Sequence, residues 1–378
     1  MPIVHTPEPA QDDDTRAPRR GRLRRHARLI AGLSIILLFY LVALSADFIA
    51  PYDYRALSRG ELDAPPTPIH FRTADGDWHA RPFIYARRLT DPLARTYTEE
   101  TTRAYPLTLF ARGYAYRLFG LIPTERHLFG VQAAAQLMQP QTAPPNAADL
   151  IPRVYLLGTD GSGRDRLSRL LRATRFSLLV GPLGTLCAAA LGILIGCIAG
   201  YTGRTADALL MRAADVMLAL PELLLILAAR AAFPINLEST QAAVLLIAIF
   251  IALGWAEMAR VTRGLVLALR QREFVLAATG LGLSEARILF RHILPNAARP
   301  LVVQVSLLLP AFLLAETALS YLGVGVQEPE VSWGNMLRDA GDINQLAAQP
   351  FLLLTPAVAI FIFVLGVRLM SSGLRRAD

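Results

Sequence analysis

The residue types best suited to chemistry in this chain meet in one turn, Gly158-Thr159-Asp160-Gly161-Ser162-Gly163-Arg164-Asp165. Gly158 and Gly163 are five apart and run into a helix-favouring stretch, which is the outline of a phosphate-cradling loop. Such a loop needs glycines for backbone approach, then a lysine for the β- and γ-phosphates and a hydroxyl for Mg²⁺. Arg164 and Asp165 take those last two places, and no apolar strand precedes the turn. The Asp carboxylate would repel a phosphate, so nucleotide binding is not expected here. Other chemistry fares no better. There is no G-x-S-x-G nucleophile turn and no His, Asp and Glu cluster at metal spacing, so neither catalytic residues nor a metal nor a cofactor site is expected on this chain.

The elements around the turn belong to a membrane protein. Of 378 residues, 53% are hydrophobic, above the 45–50% or so of an average soluble domain. The excess lies in blocks of about 20 residues, the length that crosses about 30 Å of hydrocarbon. The expected fold is an all-α polytopic membrane protein with six transmembrane helices. They fall at 29–50, Ser177–Gly200, 206–229 (holding Pro221), 241–260, 301–322 and 351–370. Residues 1–28 are polar and Arg-rich and are expected to be disordered. The first apolar run exceeds the 7–15 residues of a cleaved signal peptide and reads as a retained helix. Gly192, Gly196 and Gly200 form a doubled G-x-x-x-G in the second span, which lets two helix backbones approach closely in lipid. Cys187 and Cys197 lie in the same span, ten residues apart. That is about 15 Å of helix, too far for a disulfide.

Charge sets the orientation. The net charge is +8 and all 38 basic residues are Arg. Seven lie before residue 29, six lie between Arg263 and Arg299, and Arg375 and Arg376 end the chain. Positive residues favour the cytoplasmic side, so both termini and the 261–300 loop are expected there, with a cytoplasmic tail at 371–378. The basic balance thus belongs to topology, and no nucleic-acid partner is expected. Residues 51–176 then lie outside, although they hold 17 Arg; long loops translocate largely regardless of charge. This segment reads as an extracytoplasmic insertion after the first helix, either a small domain or loops packed on the bundle. At its end Leu167, Leu170, Leu171 and Phe176 alternate with Arg164, Arg166, Arg169, Arg172 and Arg175. The pattern predicts an amphipathic helix in the membrane interface, with Asp160 as a possible cap.

The loop 270–296 is the second informative region. Residues 270–281 favour helix, Gly282 supplies the positive φ that ends one, and Ser284 with Glu285 can start another. Pro295 is expected to end it. A helix–glycine–helix unit on the cytoplasmic face suits docking of a cytoplasmic partner. Here the sequence resembles the inner-membrane permease subunits of ABC importers for di- and oligopeptides and nickel. Ala277, Ala278, Gly282, Ile293, Leu294 and Pro295 stand at places of that family's EAA loop. The motif's leading Glu falls on Leu276, and Glu273 lies three residues early. LLGTDGSGRDRLSRLL (156–171) and AETALSYLGVGVQEPEVSWGNML (315–337) resemble two further family segments. The C-terminal GLRR is similar to the family's ending, while Arg368, Ser371 and Ser372 depart from it. The matches cover about 29–50 and 155–376. The insertion, through RPFIYARRL (81–89) and YRLFGLIPTERHLFGV (116–131), resembles the longer-loop oligopeptide and microcin-type importers.

The resemblance implies a type I ABC importer permease fold, with a five-helix core at 177–370, in a bacterial inner membrane. It implies peptide import through a pathway shared with a second permease subunit. Two cytoplasmic ATPases, holding ATP and Mg²⁺, would bind the EAA loops, and an extracytoplasmic solute-binding protein would deliver peptide. Against it, a secondary transporter would show internal repeats and broken helices near the midplane; no repeat is found. Within this frame the carboxylates in the apolar runs gain interest, since each costs about 2.5–3.5 kcal/mol on insertion scales. Glu222 and Glu316 are expected either to line the pathway or to pair between helices, for instance with Arg212 or Arg230. Asp215 and Glu257 read as pairing residues, and His292 as a docking or packing residue.

Overall fold

A computed structural model describes residues 17–58, 60–91, 95–131, 152–201, 204–234, 237–339, 341, 346 and 351–374. Helix α1 runs Ala17–Leu44 and is followed by the one-turn α2, Ala46–Ile49. It begins well inside the stretch expected to be disordered up to residue 28. The Ala, Arg and Leu of that stretch are strong helix formers, and they continue the apolar span into polar surroundings.

The insertion is a β structure, where the sequence left its fold open. The all-α expectation therefore holds for the bundle only. Strands β1 (His70–Arg72), β2 (Trp78–Asp91), β3 (Thr96–Leu109) and β6 (Phe129–Val131) form an antiparallel sheet in the order β1-β2-β3-β6. A separate hairpin joins β4 (Arg112–Leu118) to β5 (Ile122–Arg126). The two long strands are hard to read because neither keeps a two-residue alternation along its length. In β2 the buried residues are consecutive, Phe83, Ile84 and Tyr85, and most of β3 is exposed.

The bundle follows. Its helices are α3 (Arg166–Tyr201), α4 (Arg204–Ala219), α5 (Glu222–Ala231) and α6 (Ser239–Arg270). Beyond them lie α7 (Glu273–Gly280), α8 (Glu285–Ile288), a π-turn Leu289–Ile293 and α9 (Leu294–Tyr321). Then come α10 (Trp333–Asp339) and α11 (Phe351–Leu374). Five stretches among the described residues are long and apolar enough to cross a membrane: Arg25–Leu44, Arg166–Tyr201, Ser239–Arg270, Glu285–Tyr321 and Leu354–Leu374. The expected third span is instead two short helices, α4 and α5, broken at Leu220–Pro221. Proline has no N–H and turns the residue before it away from helix. The helix predicted for the interface is also corrected. Residues 166–176 are the first turns of α3, and Arg166 and Arg169 are 3% and 2% exposed. Both lie inside protein rather than at the interface, and the partners of Arg169 are described below.

The glycine spacing in the second span has the predicted consequence. Helix α3 packs most extensively on α6. A Cβ at Gly196 would lie 2.5 Å from the Ala259 carbonyl oxygen and 2.6 Å from the Thr262 Cβ. Both are backbone-level contacts, so the helices would have to separate. Gly196→Leu is therefore expected to cost about 1–3 kcal/mol or more through overpacking and to lower the thermal midpoint of the purified protein. Gly264→Leu, on α6 with nothing within 4 Å of its Cβ position, should leave the midpoint unchanged. Equal midpoints for the two variants would refute this account of the α3–α6 contact. Deeper in the bundle Phe250 stacks on Phe312 with centroids 4.7 Å apart, and Trp333 meets Phe39 and Phe363.

Candidate functional site

The glycine turn cradles the protein's own chain. Gly158 and Gly163 have φ of +73° and +77°, and a Cβ at Gly163 would stand 2.0 Å from the Ser58 carbonyl oxygen. Ser58 N–H donates to the Gly163 carbonyl at 3.1 Å, Asp63 N–H to that of Asp160 at 3.0 Å, and Thr159 N–H to that of Ala64 at 3.0 Å. The turn thus seats Ser58, Asp63 and Ala64 where a phosphate would have been.

Its acids divide the work. Asp160, expected as a helix cap, is a hub for arginines instead. It accepts from the Ser162 and Arg164 backbone N–H at 2.9 Å each, from Arg164 Nε at 2.8 Å and pairs with Arg169 Nη1 at 3.1 Å. The cap of α3 is Asp165, whose Oδ2 accepts from Ser168 N–H at 2.9 Å and Ser168 Oγ–H at 2.5 Å. Burial pushes the Asp165 carboxyl up to about 6, against the pull of its Ser168 bonds. A raised value means that its stabilising contribution is complete below the ordinary carboxyl value of 3.8 and is lost as pH rises through 6. The thermal midpoint is expected to fall over that window, and Asp165→Asn should remove that component of the slope.

The arginines reach across to the segment after α9. Arg164 grips Glu328 through two bonds of 2.7 and 2.8 Å, Arg169 bonds Asp339 at 3.0 Å, and Arg172 bonds Glu330 at 2.9 and 3.0 Å. Tyr54 OH also donates to Glu330, at 2.6 Å. The Arg164 bonds hold the Glu328 carboxyl below its ordinary range. Arg175 pairs with Asp47 of α2 at 2.8 Å. The segments 156–171 and 315–337, which the sequence singled out separately, thus meet in one latch, extended by Arg172 and Asp339, that joins α3, α9 and the start of the insertion. Which acid meets which arginine could not be read from one sequence, because the partners are more than 150 residues apart.

Of the carboxylates in the apolar runs, Glu316 does not line an open path. It is fully buried, accepts from Ser177 Oγ at 3.0 Å and Ser320 Oγ at 2.8 Å, and Ser177 in turn accepts from Trp333 N–H at 3.3 Å. Its partners are serines rather than the arginines considered. Glu222 is exposed at the start of α5. Glu257 accepts from Gln304 Nε2 at 2.8 Å, and Arg260 pairs with Asp215. Arg263 pairs with Asp207, a pair that spacing did not reveal. Arg230 donates to the Phe233 and Pro234 carbonyls.

The loop between α6 and α9 has a buried side and a bare side. Val275, Ala278, Ile288 and Ile293 pack with Cys197 of α3 and Val266 of α6. Glu273, Leu276, Ala277, Gly282 and Ser284 are exposed, with Leu276 at 60% and Leu281 at 82%. Gly282 has φ +75° and closes a Schellman cap on α7: Leu283 N–H bonds the Ala278 carbonyl at 3.3 Å and Gly282 N–H that of Thr279 at 2.9 Å. Ser284 occupies the N-cap of α8, but its side chain makes no capping bond. Leu294 is half-buried, and Pro295 lies in the first turn of α9. Pro295 does not end a helix, as was expected. In a first turn its missing N–H costs nothing, and the π-turn before it carries the chain through.

Comparison with known proteins places this arrangement in a family. Residues 192–377 match the binding-protein-dependent transport system inner membrane component. Residues 19–66 match the N-terminal transmembrane domain of oligopeptide transport permease C. A putative peptide permease protein of Brucella suis biovar 1 (strain 1330) is 37% identical over 268 residues, 69% of this chain and 85% of that protein. The oligopeptide transport system permease protein OppC of Bacillus subtilis (strain 168) is 37% identical over 223 residues, 59% of this chain and 70% of OppC. An inward-facing form of the MetNI methionine ABC transporter aligns with a TM-score of 0.41 at 14% identity, covering 55% of this chain and 95% of that one. The chain therefore belongs to the peptide-permease family of ABC importers. It is a multi-pass inner-membrane transport subunit, and membership implies a partner permease and an ATPase.

Proposed function

We propose that this permease imports peptides and is driven through the loop 270–296 by two cytoplasmic ATPases, which hold the ATP and Mg²⁺. An extracytoplasmic solute-binding protein delivers the peptide, and a second permease completes the pathway within the lipid. Both termini and the loop face the cytoplasm, in keeping with the Arg distribution. The observation that carries the reading is the two-sided loop. Its inner residues tie it to α3 and α6, while Phe274, Leu276 and Leu281 lie bare. Exposed large apolar groups on a rigid cytoplasmic unit mark a protein-binding surface. ATP binding then biases the permease only as far as the ATPases hold one of its states more tightly. Glu222, exposed at the break in the third span, remains the pathway-lining residue.

The test is co-purification in mild detergent. The tagged protein should bring a second permease and ATPase subunits with it, and Leu281→Asp should lose the ATPases while keeping the permease. If the tagged protein comes alone, or if Leu281→Asp keeps its ATPases, the reading fails.

A further inference from the structure

The insertion carries a surface that the transport reading does not use. In the hairpin β4–β5, Leu118 pairs with Ile122, and the turn between them is Phe119-Gly120-Leu121. Phe119, Leu121 and Ile122 are 49%, 81% and 58% exposed. Phe119 also holds a φ of +55°, in the left-handed region. A turn made for water places Gly, Asn or Asp there, because a bulky side chain is strained in that conformation. A strained Phe beside two bare aliphatics is not a solvent turn. Phe119, Leu121 and Ile122 thus make one exposed apolar tip.

Its base shows where the hairpin starts. His127 clusters with the rings of Tyr114 and Tyr116, with centroids 4.5 and 4.9 Å away. Its Nδ1 lies 3.0 Å from the Asp47 carbonyl oxygen, and Leu128 N–H donates to the Phe48 carbonyl at 2.8 Å. Phe48 and Phe110 are in ring contact. Asp47 and Phe48 belong to α2, directly after the apolar stretch Arg25–Leu44, and the Asp47–Arg175 pair sets two charges beside its end. The hairpin is therefore rooted at the membrane surface. Behind the apolar tip Arg112, Arg117 and Arg126 are exposed, against one acid, Glu125. An apolar tip backed by basic residues at this level complements an anionic lipid surface.

We infer that the β4–β5 hairpin is a membrane anchor: Phe119, Leu121 and Ile122 sit in the interface of the outer leaflet, with the three arginines on anionic headgroups. The inference rests on the extracytoplasmic placement of the insertion. It is tested with Leu121→Cys in a background lacking Cys187 and Cys197, labelled with an environment-sensitive fluorophore and reconstituted in vesicles containing phosphatidylglycerol. Emission should be blue-shifted, and quenching by a headgroup-proximal nitroxide lipid should be several-fold stronger than for the same label at Ala115→Cys. Raised salt should weaken the effect. In the unsubstituted protein a membrane-dissolved carbene label should modify the tryptic peptide 118–126. A water-like, unquenched label at residue 121 and an unmodified peptide would overturn the anchor. So would a blue shift that arises only when a solute-binding protein is added. Labelling of Ala115→Cys by an impermeant thiol reagent in intact cells checks the side independently, so a wrong topology is told apart from a hairpin that stays in water.

Discussion

Asp160→Ala is expected to lower the stability of the purified protein by about 3–5 kcal/mol, the usual cost of removing one partner from a buried ion pair. The variant leaves Arg164 and Arg169 in place, and Arg169 is 2% exposed. It also removes the acceptor for the Ser162 and Arg164 backbone N–H groups. Glu328→Gln should cost far less. The Glu328 side chain is 53% exposed, and exposed pairs contribute about 0–1 kcal/mol. Asp165→Asn should also be mild, because burial already favours the uncharged carboxyl there. The measurement is the thermal midpoint of the three variants in one detergent at one pH. If Asp160→Ala is no worse than Glu328→Gln, the latch has no charged hub and the account of the turn is wrong.

The second large effect concerns Gly282. Space is not what requires glycine there: nothing lies within 4 Å of its Cβ position. The requirement is the φ of +75°, which costs an ordinary residue about 1–2 kcal/mol. Substitutions should therefore rank by tolerance of that backbone rather than by size. Gly282→Asn should keep most peptide-stimulated ATPase activity in the reconstituted transporter, Gly282→Ala less, and Gly282→Val almost none, each with an unchanged amount of inserted protein. An activity that tracks side-chain volume, with Ala above Asn, would show that crowding at the ATPase sets the requirement. Unchanged activity in Gly282→Val would remove the loop from coupling.

How much of this was legible differs by element. The long spans were legible because a helix in lipid must be apolar all round, while the third broke at Pro221; Gly192, Gly196 and Gly200 announced a close helix contact but not that its partner is α6. Gly282 was legible because a single position carried both the motif and the backbone need. The sheet was not legible, since β3 is rich in Thr, Glu and Arg and its middle, 100–104, is exposed throughout, which breaks the periodic trace. The arginines of 164–175 misled for a related reason. Their spacing on α3 is that of an interfacial helix, and only the acids of distant segments show that they point into protein. Glu316 was read correctly as unusual, but a buried carboxylate held by two serines looks, in sequence, like one that faces a path.

The latch also has a history within each molecule's synthesis. Arg164 and Glu328 are 164 residues apart, and ribosomes add about 5–20 residues per second. By that rate roughly 8–30 seconds pass between the emergence of the arginine and that of its acid. On the orientation proposed above, the turn at 158–165 waits outside the membrane through that interval with only the nearby Asp160 for its arginines, lacking Glu328 and Asp339, while three further spans are still being threaded. Nascent chains caught at this stage should be cut readily at Arg164, Arg166 and Arg169 by an extracytoplasmic trypsin-like protease, and the finished protein should resist at the same bonds.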